Sequence, residues 1–125
     1  MQATMVGIGL MEAGFVDLVT YKKDGTPVST PMLATPRGDV LLLRTHHTAG
    51  KLKRLSRNAS VELAPLSRGR HVGAVTRGTA RILSDAETAE CLELLHRRHG
   101  MVGRLATLLR HMRGWRDVFI EVRPA

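Results

Sequence analysis

Two glycine turns, Asp24-Gly25 and Arg37-Gly38-Asp39, set the frame of this chain by breaking up successive runs of β-forming residues. Phe15 to Tyr21 alternates between apolar and polar side chains, Val28 to Leu33 returns as a second strand, and Val40 to Arg44 is a strongly apolar third. Asp-Gly supplies the backbone freedom that a tight hairpin turn needs, so the three strands are expected to follow one another antiparallel. Pro31 lies within the second run. It has no N–H to give a ladder, which points to an edge, a bulge or a locally widened pairing there.

From Ala49 to Arg57 the pattern changes. Leu52 and Leu55 are three apart with basic residues around them, as in a short amphipathic helix lying on a sheet and closed by Asn58. Val61 to Ala64 reads as a fourth strand and Ser67-Arg68-Gly69-Arg70 as a turn. Val72 to Leu83 reads as one long extended segment in which Gly73 and Gly78 allow a bend or bulge. Ser84 and Glu87 fit a capping box, opening a helix that runs to about His99 with Gly100 as its stop. Ala89, Leu92, Leu95 and the Cys91 side form its expected inward stripe. Met101 to Met112 is a second, shorter helix or a helical loop, and Val118 to Val122, bounded by Pro124, is the final strand. With no repeat and no linker, residues 1–125 read as one domain, mainly β: a barrel-like antiparallel sheet with a few helices packed outside it.

The 125 residues suit a single modest core, and with only 3% aromatics Val, Leu, Ile and Ala must fill it. Small cores of this kind often gain from a partner subunit, most commonly in a homodimer. The formal net charge is +8, with eight basic against five acidic residues up to Glu62 and eleven against six after it. Anionic partners are expected, but the charge is spread over both halves rather than gathered in a tail. Nucleic acid is disfavoured, because the scarce aromatics are not interleaved with the basic strip and so offer no stacking platform. Cys91 is the one cysteine; an intrachain disulfide is excluded, and a buried structural thiol in a reducing, cytoplasmic setting is expected. Residues 1–11 are mildly apolar but lack the basic start and long apolar core of a signal peptide or membrane span, so no membrane partner is expected.

The chemistry concentrates between Thr45 and Arg57. A hydroxyl at the end of a strand is followed by Lys51, Lys53, Arg54 and Arg57, a donor set suited to a phosphate ester. The competing reading is a solvated basic helix face. At helical spacing residues 51 and 54 share a face, whereas 51 and 53 diverge by nearly 200°. Lys51 with Arg54 is therefore the better pair, and Lys53 turns to another part of a ligand or to water. His46 and His47 follow Thr45 directly and are lesser candidates for a role in chemistry. His96 and His99 share a helix face, yet without a cysteine cluster or a paired His motif no metal is expected.

The order Tyr21-Lys22-Lys23-Asp24-Gly25-Thr26-Pro27-Val28-Ser29-Thr30-Pro31, then Leu43-Arg44-Thr45 and Lys51-Leu52-Lys53-Arg54-Leu55, resembles the pyridoxamine 5′-phosphate oxidase-like split-barrel superfamily. Within it, the sequence is most similar to the group that uses the deazaflavin F420. Ser60 to Pro65, Arg68-Gly69-Arg70 and Asp117 to Val122 extend the likeness over roughly residues 12 to 123. The resemblance implies an FMN-binding-type split β-barrel, dimeric, with a cofactor site at the subunit interface. It further implies that Thr45, Lys51, Lys53 and Arg54 serve the cofactor phosphate, and that Ser29, Thr30 and Pro31 lie near its ring system. Met32 stands where relatives often carry an aromatic residue. Arg44 belongs to the same motif. Arg68 and Arg70 are placed to meet further acidic groups such as the polyglutamate tail of F420, and Trp115 is a candidate wall of the site. The implied activity is hydride transfer from reduced F420 to a small unsaturated organic substrate, with no protein nucleophile required. The alternatives are an FMN-binding oxidoreductase, an F420 carrier without turnover, and a basic nucleic-acid binder.

Overall fold

The computed structural model describes residues 14–67, 70, 71 and 73–124. In chain order they form β1 (Phe15–Tyr21), β2 (Pro27–Arg37), β3 (Val40–His46), α1 (Gly50–Arg57), β4 (Ser60–Ser67), β5 (Arg70–His71), β6 (Thr76–Ile82), α2 (Asp85–Met112) and β7 (Asp117–Pro124). Every pairing is antiparallel. β1 pairs with β2, β2 with β3, β3 with β7, β7 with β6, β6 with β4, and β4 returns to β1. Those six strands close a barrel, and β5 is a two-residue annex at the end of β4.

Alternation fills the bore with aliphatic side chains: Val16 and Leu18 from β1, Leu41 and Leu43 from β3, Leu63 from β4, Ile120 and Val122 from β7. α1 covers one end, with Leu55 joining this cluster and Leu52 packed against it. A second core lies outside the barrel, where Leu42 of β3 and Phe119 of β7 meet Leu83 and, from α2, Cys91 and Leu95. β3 is therefore buried on both faces. That is why Val40 to Leu43 reads as a continuous apolar run instead of an alternating one.

Asp24-Gly25 makes the expected hairpin turn, with Gly25 at φ 88° and the Lys22 N–H donating to the Thr26 carbonyl. Pro31 lies in the expected edge: residues 27–33 of β2 pair with β1 alone, in unbroken register. The segment read as one extended strand from Val72 to Leu83 is β5 and β6 with irregular chain between them, and Val72 itself lies outside the described residues. Gly78 makes no bulge, since the β4–β6 and β6–β7 registers run straight through it. Its lack of a side chain instead lets β7 approach, because a Cβ there would stand 2.8 Å from the Arg123 carbonyl oxygen. Ser84 and Glu87 form the capping box. The inward stripe of α2 is Thr88, Cys91 and Leu95, flanked by half-buried Leu92 and Leu94; Ala89 is exposed, one residue off that stripe. Gly100 breaks the helix with φ 59° and ψ −138°, after which it resumes to Met112.

Candidate functional site

β2 and β3 are hydrogen-bonded neighbours only from Arg37–Val40 to Ala34–Leu43. Past that point β2 continues with β1 and β3 continues with β7, so the two strands splay apart. A cleft of about 330 Å³ occupies the split. Pro31, Met32, Leu33 and Thr35 line it from β2, and Arg44, Thr45 and His46 from β3. Lys51 of α1, Leu95 and Arg110 of α2, and Trp115 from the loop before β7 complete it. One wall is thus apolar and the facing wall cationic.

The cationic wall is fixed by hydrogen bonds. The Arg44 guanidinium donates to the Thr107 hydroxyl at 2.7 Å, and that hydroxyl donates to the Gly103 carbonyl at 3.1 Å. With the hydroxyl proton so placed, His96 at 2.9 Å donates its Nε2–H to the same oxygen. Arg110 donates through Nε to Asp117 Oδ1 at 2.9 Å and through Nη2 to the Thr45 carbonyl at 3.0 Å. His111 Nε2 meets the second Asp117 oxygen at 3.0 Å. The His46 ring stacks on Trp115, with centroids 4.5 Å apart and planes 8° from parallel. The Arg110 and Arg113 guanidinium carbons lie 5.3 and 5.6 Å from the indole centroid.

Charge in the cleft is unbalanced. Burial, then the neighbouring Arg54 and Arg110 cations, pushes the Lys51 ammonium below its usual range, and among the described residues no ion pair joins it to a carboxylate. Burial, then Arg110, does the same to Arg44, which stays charged at neutral pH. His46 is lowered by burial and then by Arg110, Lys51 and His47, so its ring is neutral near pH 7. Asp117 is the carboxylate at this wall, and Arg110 and His111 already share it. A second depression, on the outer face of β4 and β6, is different: Tyr21, Glu62 and Arg77 line it and its charges are matched.

Of the residues singled out in the sequence, Pro31, Met32, Arg44, Thr45, Lys51 and Trp115 line the cleft. Arg54 does not. It is half-buried beside Lys51 and spends its Nε–H on the Thr20 hydroxyl at 2.7 Å, tying α1 to β1. Lys53 is exposed, as its spacing from Lys51 requires. Ser29 is exposed and Thr30 half-buried on the β1-paired half of β2, outside the lining. Arg70 is exposed on β5, and Arg68 lies outside the described residues. Arg110 and Thr35 were not singled out, and Leu33 and Leu95 were read only as strand and helix-core residues. A signal for Arg110 was present in Asp117, a lone acid amid cations, but the helix and loop that join the two follow no local spacing rule. Among the described residues no group of three or more His, Cys, Asp and Glu side chains gathers to hold a metal.

The pyridoxamine 5′-phosphate oxidase family profile matches residues 9–123. No curated protein matches the sequence significantly. Among solved structures, an F420 reductase is 23% identical with a TM-score of 0.61, covering 89% of this chain and 86% of its own. A pyridoxamine 5′-phosphate oxidase-related, FMN-binding protein from Nostoc punctiforme is 14% identical with a TM-score of 0.62, over 98% of this chain and 76% of its own. The heme storage protein HutZ from Vibrio cholerae is 12% identical with a TM-score of 0.71, over 98% of this chain and 89% of its own. At such identities the three share a fold with this chain, while what they are named for differs: F420, FMN and heme. The split six-stranded barrel and a profile match from residue 9 to residue 123 agree: the chain belongs to the pyridoxamine 5′-phosphate oxidase family.

Proposed function

We propose that this chain is an F420-dependent oxidoreductase that reduces a small unsaturated organic substrate and works as a homodimer with its cofactor at the subunit interface. The observation that carries the reading is the surplus positive charge in the cleft. Lys51, Arg44 and Arg110 repel one another beside an apolar wall, with one carboxylate already shared. An anionic, planar ligand relieves that repulsion and fills the slot between the walls. The donor set fits such a ligand. Lys51 serves the phosphate beside Thr45, with Arg54 adding positive charge from behind it, while Pro31, Met32 and Leu33 face the ring system and Ser29 and Thr30 flank that wall from outside the lining. Arg44 and Arg110 oppose the negative charge of the ring's acidic edge, and Trp115 closes the slot. Exposed Lys53, with Arg68 and Arg70, attracts the acidic tail. When bound, the reduced deazaflavin supplies a hydride, and the chain's own work is to hold, orient and exclude water.

FMN is the second reading, supported by the family profile and by the FMN-binding relative. It would use the same phosphate clamp without a tail. Parallel titrations with F420, FMN and hemin, read by fluorescence and absorbance, separate the cases. F420 is expected to bind at least tenfold tighter than FMN, with reduced F420 oxidised when unsaturated acceptors are added. A reversed order favours FMN. Hemin alone binding tightly, or all three binding no better than an unrelated polyanion, ends the proposal. Binding without turnover leaves a carrier rather than an enzyme.

A further inference from the structure

The second half of α2 is amphipathic in the opposite sense to a helix packed on a barrel. Its buried residues are Gly103 and Thr107, and it is held by polar contacts: Thr107 to Arg44, Arg110 and His111 to Asp117. Gly103 must be small, because a Cβ there would meet the His99 Cβ at 2.9 Å. The apolar residues point the other way. Met101, Val102, Leu105, Leu108, Leu109 and Met112 are between 52% and 86% exposed. At about 100° per residue they fall within an arc of roughly 120°, opposite Gly103 and Thr107. A lone exposed leucine is ordinary, but a contiguous stripe of this size marks a docking face.

Charge indicates what docks there. From Leu94 to Arg116 the chain holds six arginines and three histidines and neither Asp nor Glu. Arg104 and His111 border the stripe on one side and Arg113 on the other, all exposed. A second copy meeting this face about a two-fold axis would set the cations that border one stripe against those that border the other. An anionic lipid surface complements both features: leucine and methionine side chains enter the acyl boundary while the flanking arginines meet headgroups. Among the described residues no helix is long and apolar enough to cross a membrane, so the contact would be one of lying on the surface. We propose that this stripe docks the protein on an anionic membrane surface, independently of which cofactor the cleft takes.

Co-sedimentation of the full chain with phosphatidylcholine vesicles, with and without phosphatidylglycerol, tests this. The wild type is expected to partition at least tenfold more strongly to the anionic vesicles. The L105S/L109S variant keeps every charge and is expected to lose most of that binding. R104Q/R113Q is expected to lose about fivefold per cation. All four positions are exposed, so circular dichroism and melting should match wild type. Absent binding to anionic vesicles overturns the proposal. So does undiminished binding by L105S/L109S, which would make the net charge of the whole chain sufficient. A dimer in sedimentation velocity that L105S/L109S dissociates overturns it too, because the stripe would then join two copies.

Discussion

Asp117 and Glu121 stand four residues apart on the outward face of β7, one on either side of Phe119, and neither is more than 5% exposed. Glu121 gathers three arginines: Arg37 at 3.0 Å, Arg123 at 3.4 Å and Arg81 at 3.5 Å. Their side chains are 40% to 68% exposed, so the surplus charge around Glu121 is dissolved in water. Arg81 also grips Glu87 at 2.9 Å, and that hydrogen bond holds the Glu87 carboxyl down to about 2. Around Asp117 the balance falls the other way. Arg110 is only 21% exposed, and beyond it Arg44 and Lys51 are half-buried beside an apolar wall. The same strand face thus carries two buried carboxylates with different consequences. A buried acid ringed by solvated arginines is architecture; a site for an anion arises where the leftover cations are themselves desolvated.

Exchanging each charge separately breaks or sharpens that contrast. E121Q removes the shared partner of three arginines and is expected to cost about 2–4 kcal/mol of stability, read by urea unfolding. Cofactor affinity should change less than about twofold, since no Glu121 partner lines the cleft. A large affinity loss at full occupancy of the folded state would make the two acids one network.

K51A should do the reverse. Its ammonium is partly desolvated and repelled by Arg54 and Arg110, so removing it should leave stability within about 0.5 kcal/mol of wild type. Affinity for the phosphorylated cofactor should fall at least about tenfold, the worth of one charge-assisted contact. R97A is the control, because among the described residues Arg97 pairs only with exposed Glu93 one turn away, and it should move neither quantity. Equal affinity losses at residues 51 and 97 would mean that the ligand responds to net charge and not to the cleft.

How much of this was legible in the sequence follows the range of the interactions. The Asp24-Gly25 hairpin, the capping box at Ser84 and the break at Gly100 are decided within four residues, and each is where the residues place it. The divergence of Lys51 and Lys53 is likewise set by helix geometry alone. The insertion of β7 between β3 and β6 leaves no local trace, because it pairs Leu43 with Ile120 across the whole intervening chain. The cleft depends on that insertion, since β7 draws the end of β3 away from β2. Arg110 therefore could not be placed before the fold was known. Met101 to Met112 read as a second helix or a helical loop, and its apolar period does not say which side meets the barrel. Thr107 decides that through the hydrogen bond it accepts from Arg44, while Gly103 lets the second half of the helix close on His99 of the first.

The smallest expected effect separates the two acids by pH. Burial first, and then nearby cations, holds both His46 and His96 below the ordinary histidine range; the cations are Arg110 and Lys51 for one, Arg104 and Arg44 for the other. Both depressed groups belong to the cleft side of the comparison. As pH falls through about 6.5, the unfolded chain takes up these protons before the folded one does, so stability should decline between about pH 7 and pH 5. Glu87, on the Glu121 side, contributes no change in that window, because its stabilising charge is lost only as pH drops from the ordinary carboxylate range towards about 2. Melting temperature measured across the window should fall by a few degrees in wild type and by less in H46Q/H96Q. A bound anionic cofactor should shrink the decline as well, since its charge offsets the cations that repel the incoming proton. An identical decline in wild type and variant would mean that the cleft is not where the cations press hardest.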